Sequence, residues 1–516
     1  MNIKHFSFIL ALCLATIAVH ANNITISNVS ITGQNNSQKF KLVQFDISWD
    51  NSWRVDYGPN NWDAAWVFVK YRRKSDNTWH HATLHYVDGT GSGDGHTEPA
   101  NCNISSSNDT SSGGAHGVFI HRTDLGQGTV TYTGVMLRWN YGDDGLGDGD
   151  NVELSVMGIE MVYVPQGSFY IGDGGFDAGT FYTHPTTTSP YHITSEAAIT
   201  VGTTAGNLYY ANGGYGDQLG PIPVGFPKGY AATYCMKYEI TQSQYVAFLN
   251  RLTYAQQVTR TAVLPTSAAG TAAMTTGTLN RNGIDIMTPG VASNTPAVYA
   301  CNLDNDGTYD EDNDGQSIAC NHLSWADVAA YLDWAALRPM TELEFEKFGR
   351  GNQNPVATEY AWGTTQRYGA QSILNPGLNT EITCCGENSV FNVGSAASVQ
   401  GPMRSGNFAQ MATTRAQSGA SYYGIMELSG NLNERPVTVG HPTGRDFSGN
   451  GDGLLSNTGN ANYPWWPGTN AVGVGSRGGG WNLNHALMRL SDRLQAAFTD
   501  DIRGGGYGGR GVRLAP

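Results

Sequence analysis

The side chains able to do chemistry in this chain fall in a few short runs. The run CNLDNDGTYDEDNDGQSIACN carries Asp304, Asp306, Asp310, Asp312 and Asp314, with Gly307 and Gly315 at sharp-turn positions. Alternating acids ahead of a glycine, as in DEDNDG, have the spacing of an EF-hand-like calcium loop, since a hard cation collects oxygen ligands. Asp310, Asp312 and Asp314 are the ligands this spacing predicts. The twelfth position is Asn321 where an EF-hand has a bidentate glutamate, and no flanking helix pair is evident; the alternative is a solvated acidic loop. Cys301 and Cys320 bracket the run and are expected to be bridged. With Cys102, Cys235, Cys384 and Cys385 they form an even set beyond residue 21, as a disulfide-permissive compartment allows. Adjacent Cys384 and Cys385 would bridge each other only with strain, which leaves separate partners or free thiols. His80, His81 and His85 do not read as a metal site: on a strand, His81 and His85 share one face and His80 takes the other.

Composition narrows the partners. Charged residues are 14% of the 516, and the net charge is −14. Nucleic-acid phosphates are therefore disfavoured as a partner, because binding them takes a clustered excess of lysine and arginine. The 66 glycines, 26 tyrosines and 12 tryptophans fit a loop-rich, exported, β-containing protein. Lys4, an apolar run from Phe6 to Val19, and Val19-His20-Ala21 read as a secretory signal over residues 1–21. The run is shorter than the roughly 20 residues a bilayer requires, so no membrane span is expected after cleavage. Cys13 within it offers lipoprotein cleavage as the second possibility. The expected location is secreted or cell envelope.

The elements that must position these groups divide into two styles. Over residues 22–156, the stretches FKLVQFDISWDNSW, DAAWVFVKYRR, VTYTGVMLRWNY and NVELSVMGIEMV alternate or cluster β-branched and aromatic residues. Period two predicts an antiparallel β-sandwich there, with the Gly/Ser/Asn-rich residues 89–117 as an internal loop. Over residues 157–516 short strands, two helices and long glycine-rich connections predict an α+β domain. One helix covers SWADVAAYLDWAA, 324–336, with Ser324 as N-cap and Val328, Tyr331, Leu332 and Ala335 as its apolar stripe. The other opens on a capping box from Thr341 to Glu344 and ends on Gly349 or Gly351.

Several phrases then fall in order: GIEMVYVPQGSFYIGD at 158, YCMKYEITQSQYVAFLN at 234, LSWADVAAYLDWAALRPMTELEFEKFGRG at 323, YAWG at 360, GIMELSGNLNERP at 424, SRGGGW at 476 and GRGVRL at 509. Together they resemble the formylglycine-generating enzyme, or sulfatase-modifying factor, family. The resemblance implies a C-type-lectin-like fold with long loops fixed by hydrogen bonds and calcium. In the oxidase members, two cysteines after the Arg-Gly-Gly-Ser-aromatic motif hold copper, because thiolates bind the cuprous ion. The matching places here are Leu483 and Met488, neither of which forms a thiolate, so neither copper nor formylglycine chemistry is expected. The branch that holds iron on histidines of a preceding helical domain is disfavoured by the β character of residues 22–156. The family's calcium motif is matched by ELSGNLNE, which implies Glu427, the carbonyls of Gly430 and Leu432, and Glu434 as ligands. Asn433 and Arg435 replace the family's aromatic residues, so an alternative is that Glu434 only caps backbone or pairs with Arg435.

The C-terminal stretch mixes two kinds of residue. Arg477, Gly478, Gly479, Trp481, Met488, Arg489, Ser491 to Arg493, Gln495 to Ala497, Arg503 and Arg510 to Arg513 read as scaffold, because arginine forks and glycine turns suit a tightly hydrogen-bonded loop fold. Between them Asn482, Leu483, Asn484, His485, Ala486, Leu487, Leu494, Phe498, Asp500, Asp501, Ile502 and Gly504 to Tyr507 follow no period. This resembles the variable proteins of diversity-generating retroelements, whose substituted residues form a binding surface on a fixed scaffold. The other reading is an ordinary irregular loop. In YPWWPG, Trp465 is a candidate to stack on a ligand, while one of Trp465 and Trp466 is expected to close a core. The expected function is recognition of a protein or glycan ligand. The alternatives are an enzyme of the family with an altered site and a structural cell-surface protein.

Overall fold

The computed structural model describes residues 23–74, 78–87, 95–383, 386–392, 399–409 and 414–516. The expected signal over 1–21 and the pair Cys384–Cys385 lie outside the described residues. The order of elements is β-rich with few helices, an α+β architecture. The alternating stretches read from sequence become long strands: β1 Thr25–Asn35, β2 Phe40–Arg54, β3 Asp63–Arg73, and, after the short β4 His80–His81, β5 Leu84–His85, β6 Cys102–Ser105, β7 Gly114–Ala115 and β8 Val118–Arg122, β9 Gly126–Trp139 and β10 Val152–Val164.

These strands form two sheets. One runs β1-β2-β9-β5-β7. The other places Arg338–Pro339, Gly511–Leu514, Thr233–Met236, β10, β3, β8 and β6 side by side, with β4 also on β3. Period two explains how one strand serves two cores. Ala65, Val67, Val69 and Tyr71 of β3 meet Phe45, Ile47 and Trp49 of β2 in one core, while Ala64, Trp66 and Phe68 of the same strand face a second core with the helices. The boundary expected at 156/157 falls inside β10. This strand pairs with β3 from Val152 to Val162 and with Thr233–Met236 from Met161 to Val164, so the two halves share one sheet. Trp66 donates its indole N–H to the Ala335 carbonyl at 2.8 Å, and Lys70 donates to the Trp334 and Gly453 carbonyls at 2.7 and 2.8 Å. Burial holds the Lys70 amine well below its usual range.

Four helices of two turns or so support the second half: α1 Gln242–Leu249, α2 Tyr254–Arg260, α3 Trp325–Trp334 and α4 Glu342–Arg350. The two expected from sequence form where their caps place them. Ser324 caps α3, and the Thr341–Glu344 box opens α4, which stops at Gly351 with φ of 70°. The other two open on boxes of the same kind, Thr241 with Gln244 and Thr253 with Gln256. They are too short to display a stripe, and the two-helix expectation missed them.

Two further expectations are corrected. His81 and His85 do not share a strand face, because they lie on separate strands, β4 and β5, which join different sheets. Cys301 and Cys320 stand as buried free thiols rather than a disulfide, and burial pushes both well above the ordinary thiol range. No helix among the described residues is long and apolar enough to cross a membrane.

Candidate ligand surface and metal centre

The arginines of the C-terminal segment are fastened to α4. Acidic residues are favoured in the first turn of a helix, where the backbone N–H groups are unpaired. Glu342, at that position, accepts from Arg493 Nε and Nη2 at 2.8 and 3.1 Å, from Arg477 Nη1 at 3.2 Å, from Thr438 Oγ1 at 2.8 Å and from the Val439 N–H at 2.9 Å. Burial alone would raise this carboxyl, but Arg493 and Arg477 more than offset it and hold it below its usual value. One turn on, Glu346 accepts from Arg477 Nη2 at 3.1 Å and from Ser491 Oγ at 2.9 Å. Arg493 also lies over the rings of Phe181 and Tyr210, at 3.9 and 4.4 Å. Residues 477 and 493, the two ends of the segment, are thus clamped to one helix. Between them Gly478 turns at φ of 83°, and a Cβ there would lie 2.7 Å from the Leu428 carbonyl oxygen, so only glycine fits.

Residues 482–487, between these clamps, are exposed or half-buried. Asn482 and Asn484 are exposed, and Leu483, His485, Ala486 and Leu487 are half-buried. Asn484 Oδ1 accepts from the Ala486 N–H at 2.9 Å and opens a short 3-10 turn, His485–Met488. Met488 is buried against Tyr360 and Trp362, as scaffold. Leu483 accepts from the Asn392 N–H at 2.8 Å through its carbonyl, and His485 Nδ1 lies 3.2 Å from the Tyr360 hydroxyl. Further on, Leu494, Phe498 and Ile502 are 46%, 50% and 59% exposed. They flank Asp501, also exposed, whereas Arg493 and Ala496 beside them are buried. Arg503 anchors the far end with a two-pronged pair to Asp327 of α3, at 2.7 and 2.9 Å.

Asp500 and Tyr507 are less free than the rest. The Tyr507 hydroxyl donates to Asp500 Oδ2 at 2.7 Å, the Asp500 carbonyl accepts from Arg435, and the Arg435 guanidinium sits 4.7 Å over the Tyr507 ring. Burial, with the Asp500 carboxylate next, pushes the Tyr507 phenol up to about 12. Of the tryptophan pair, Trp465 is 60% exposed and Trp466 is buried against Phe447 and Tyr463. Trp325, at the start of α3, donates to the Gly468 carbonyl at 3.0 Å. The start of α3 therefore carries both the loop that follows Trp465 and, through Asp327, the Arg503 end of the C-terminal segment.

Of the expected calcium ligands, the Glu427 and Glu434 carboxyls are both buried. Glu427 accepts the Gly406 N–H through Oε1 at 2.9 Å, and Glu434 accepts from Arg510 Nε. The second oxygen of each, Glu427 Oε2 and Glu434 Oε2, is buried without a hydrogen-bond partner. Glu239 adds a third carboxyl, holding the same loop through the Leu432 backbone N–H at 3.0 Å and the Asn431 side-chain amide. Burial raises all three carboxyls, that of Glu427 to about 7, although Arg510 opposes it at each. The two orphaned oxygens are of the kind a hard cation would satisfy, although Arg510 already pairs Glu434 and the three carboxyls do not bring one oxygen each within 4.8 Å of one another. Glu239 was not foreseen; its one signal is an acid inside the otherwise apolar phrase YCMKYEITQSQY.

The acidic loop departs from the expected ligand set. Asp310 Oδ1 accepts the Cys301 N–H at 3.0 Å, and Asp312 is exposed. The oxygens that gather are those of Asp304, Asp306 and Glu311, within 4.8 Å of one another. Asp314 is buried, and its Oδ2 accepts from the Glu311 N–H at 2.8 Å.

Sequence comparison matches the sulfatase-modifying factor enzyme 1-like domain over residues 200–514. No curated protein matches. The match covers α1 to α4, the Glu427–Glu434 loop and the whole C-terminal segment, and leaves out only the first of the resembling phrases, which forms part of β10. The chain therefore belongs to the sulfatase-modifying factor, or formylglycine-generating enzyme, family.

Proposed function

We propose that the chain is an exported ligand-binding protein in which the family's scaffold carries a recognition surface and performs no formylglycine chemistry. The scaffold is read as C-type-lectin-like, preceded by a β-sandwich whose second sheet is shared with the later half of the chain. The observation that carries this reading is the division of residues 476–513: Arg477 and Arg493 of the frame are fully buried and clamped to α4, whereas Asn482, Asn484, Leu494, Phe498, Asp501 and Ile502 between the frame's parts are exposed and the other residues of irregular character are half-buried. Residue 488, one of the two positions where oxidase members keep a thiolate, is a methionine packed between aromatic rings, and residue 483 is a leucine. The buried cysteines that the structure describes lie in other parts of the chain, and burial holds Cys235 protonated far above neutral pH. Side chains such as Leu494, Phe498, Ile502 and Trp465, mixed with small polar residues on rigidly held loops, make a surface like that of an antibody paratope. The same division supports kinship with the variable proteins of diversity-generating retroelements.

Calcium is proposed at Glu427 and Glu434, with the Gly430 and Leu432 carbonyls completing the oxygen set and Glu239 beside it. Its contribution there would be to fix the loop that Arg510 and Arg477 hold from the other side. Two experiments test the function. The purified chain, loaded with copper and offered a cysteine-containing sulfatase-type peptide, is expected to form no aldehyde; aldehyde formation would overturn the reading. A printed glycan array and a displayed library of extracellular protein domains are expected to yield a binder that is lost in a Leu494→Ser, Phe498→Ser, Ile502→Ser variant of unchanged melting temperature. A binder retained by that variant would place recognition elsewhere.

A further inference from the structure

We propose that the loop between β-strand Val298–Cys301 and α3 is a second divalent-cation site, built by Asp304, Asp306, Glu311 and Asp314 and suited to calcium. One oxygen from each of Asp304, Asp306 and Glu311 lies within 4.8 Å of the others. Exposed acids alone do not make a site, but two oxygens beside this group are buried without a hydrogen-bond partner. Asp314 is fully buried, and its Oδ1 has no hydrogen-bond partner. The same carboxyl is tied through Oδ2 to the Glu311 N–H at 2.8 Å, which sets it against the group, and Asp304, Glu311 and Asp306 add to burial in raising it. Gln316 presents the second orphan, Oε1, while its amide N–H donates to the Glu311 carbonyl.

A carboxylate oxygen buried with neither a donor nor a counter-charge is costly, and the three acids near Asp314 add to that cost. Residues 302–317 contain no lysine or arginine that could neutralise them. A cation would, and the groups gathered here offer only oxygen: the carboxylates of Asp304, Asp306 and Glu311, with the buried Asp314 carboxyl and the Gln316 amide oxygen beside them. Such a flexible, mostly anionic set suits calcium rather than magnesium, which demands near-octahedral geometry, or zinc, which favours nitrogen and sulfur. The site differs from the Glu427–Glu434 centre and from the Asp310, Asp312 and Asp314 set that spacing alone suggests, because Asp310 already caps Cys301. It also has a structural outlet: the loop runs into Asn321, whose amide donates to the Asn280 carbonyl at 2.9 Å and the Gly505 carbonyl at 3.2 Å under the C-terminal segment.

The test is calorimetric titration of calcium into the full chain and into two variants. Asp304→Asn, Asp306→Asn alters only exposed side chains and so spares the fold, while Glu427→Gln addresses the other centre. We expect the double variant to lose one calcium equivalent, or bind it at least about ten-fold more weakly, and the Glu427→Gln variant to keep that equivalent. Superimposable titrations of the native chain and the double variant would overturn the proposal, as would an equivalent lost only with Glu427. Should Glu427→Gln fail to fold, Glu311→Gln supplies a second exposed substitution with the same expected loss.

Discussion

Replacing Glu342 by glutamine would keep the side chain's shape and remove the charge that lies between Arg493 and Arg477. Both guanidinium groups are fully buried, and so is the carboxylate. Glu346 still faces Arg477, but among the described contacts Arg493 has no other acid; its remaining partners are the carbonyls of Gly179 and Tyr215 and two aromatic rings. Breaking a buried pair by removing one partner typically destabilises by about 3–5 kcal/mol, because the other charge is left uncompensated. Over a unit the size of residues 200–514, an unfolding entropy of about 2.1 cal/mol/K per residue comes to roughly 0.7 kcal/mol/K, so the expected fall in melting temperature is roughly 5–7 °C. The assay is differential scanning calorimetry at neutral pH at two ionic strengths; a buried pair predicts a loss that salt barely changes. The comparison is the Leu494→Ser, Phe498→Ser, Ile502→Ser variant, whose exposed side chains are each expected to contribute within about 0.5 kcal/mol. A Glu342→Gln loss no larger than that of the surface variant would refute the division into a clamped frame and a free surface.

The buried carboxyl of Glu427, raised to about 7 from an ordinary 4.5, gives a pH signature. The folded state binds its proton more tightly than the unfolded state, so its contribution to stability is greatest below about 4.5 and is lost as pH rises through about 7. In chelator, melting temperature is expected to fall between pH 5.5 and pH 8 more for the native chain than for Glu427→Gln, and calcium should restore the loss at pH 8; equal falls would contradict the site. The tryptophan pair separates packing from surface. Trp466→Ala is expected to destabilise by about 3–5 kcal/mol, whereas Trp465→Ala should leave denaturant unfolding unchanged. Similar losses from both would show that Trp465 packs too.

The features legible in the sequence were those set by neighbours along the chain. Ser324 and Thr341 announce α3 and α4 because a capping box closes within four residues, and the alternation of β2 follows from a strand's two-residue period. The Arg477-to-Arg493 frame was visible by residue type, but its partners Glu342 and Glu346 lie far back in the chain on a helix that looked purely structural. Glu239 joins the Glu427–Glu434 group from still farther away. In the acidic loop the spacing and the geometry differ for another reason: spacing fixes which acids alternate, but a backbone turn decides which gather, and Asp310 sits at φ of 60° with its carboxyl on Cys301. The shared sheet was illegible because period two in β10 is the same on either side of 156/157.

The most direct test of a recognition surface on a fixed frame is to sequence codons 476–513 from many independent isolates, together with the flanking DNA. The expected result is substitution concentrated at residues 482–487, 494, 498, 500–502 and 504–507, with Arg477, Gly478, Trp481, Arg493, Arg503 and Arg510 unchanged, and a reverse transcriptase beside a near-copy of the segment that differs mainly at adenines. Substitutions spread evenly over frame and surface codons, or a segment as invariant as β3, would contradict it.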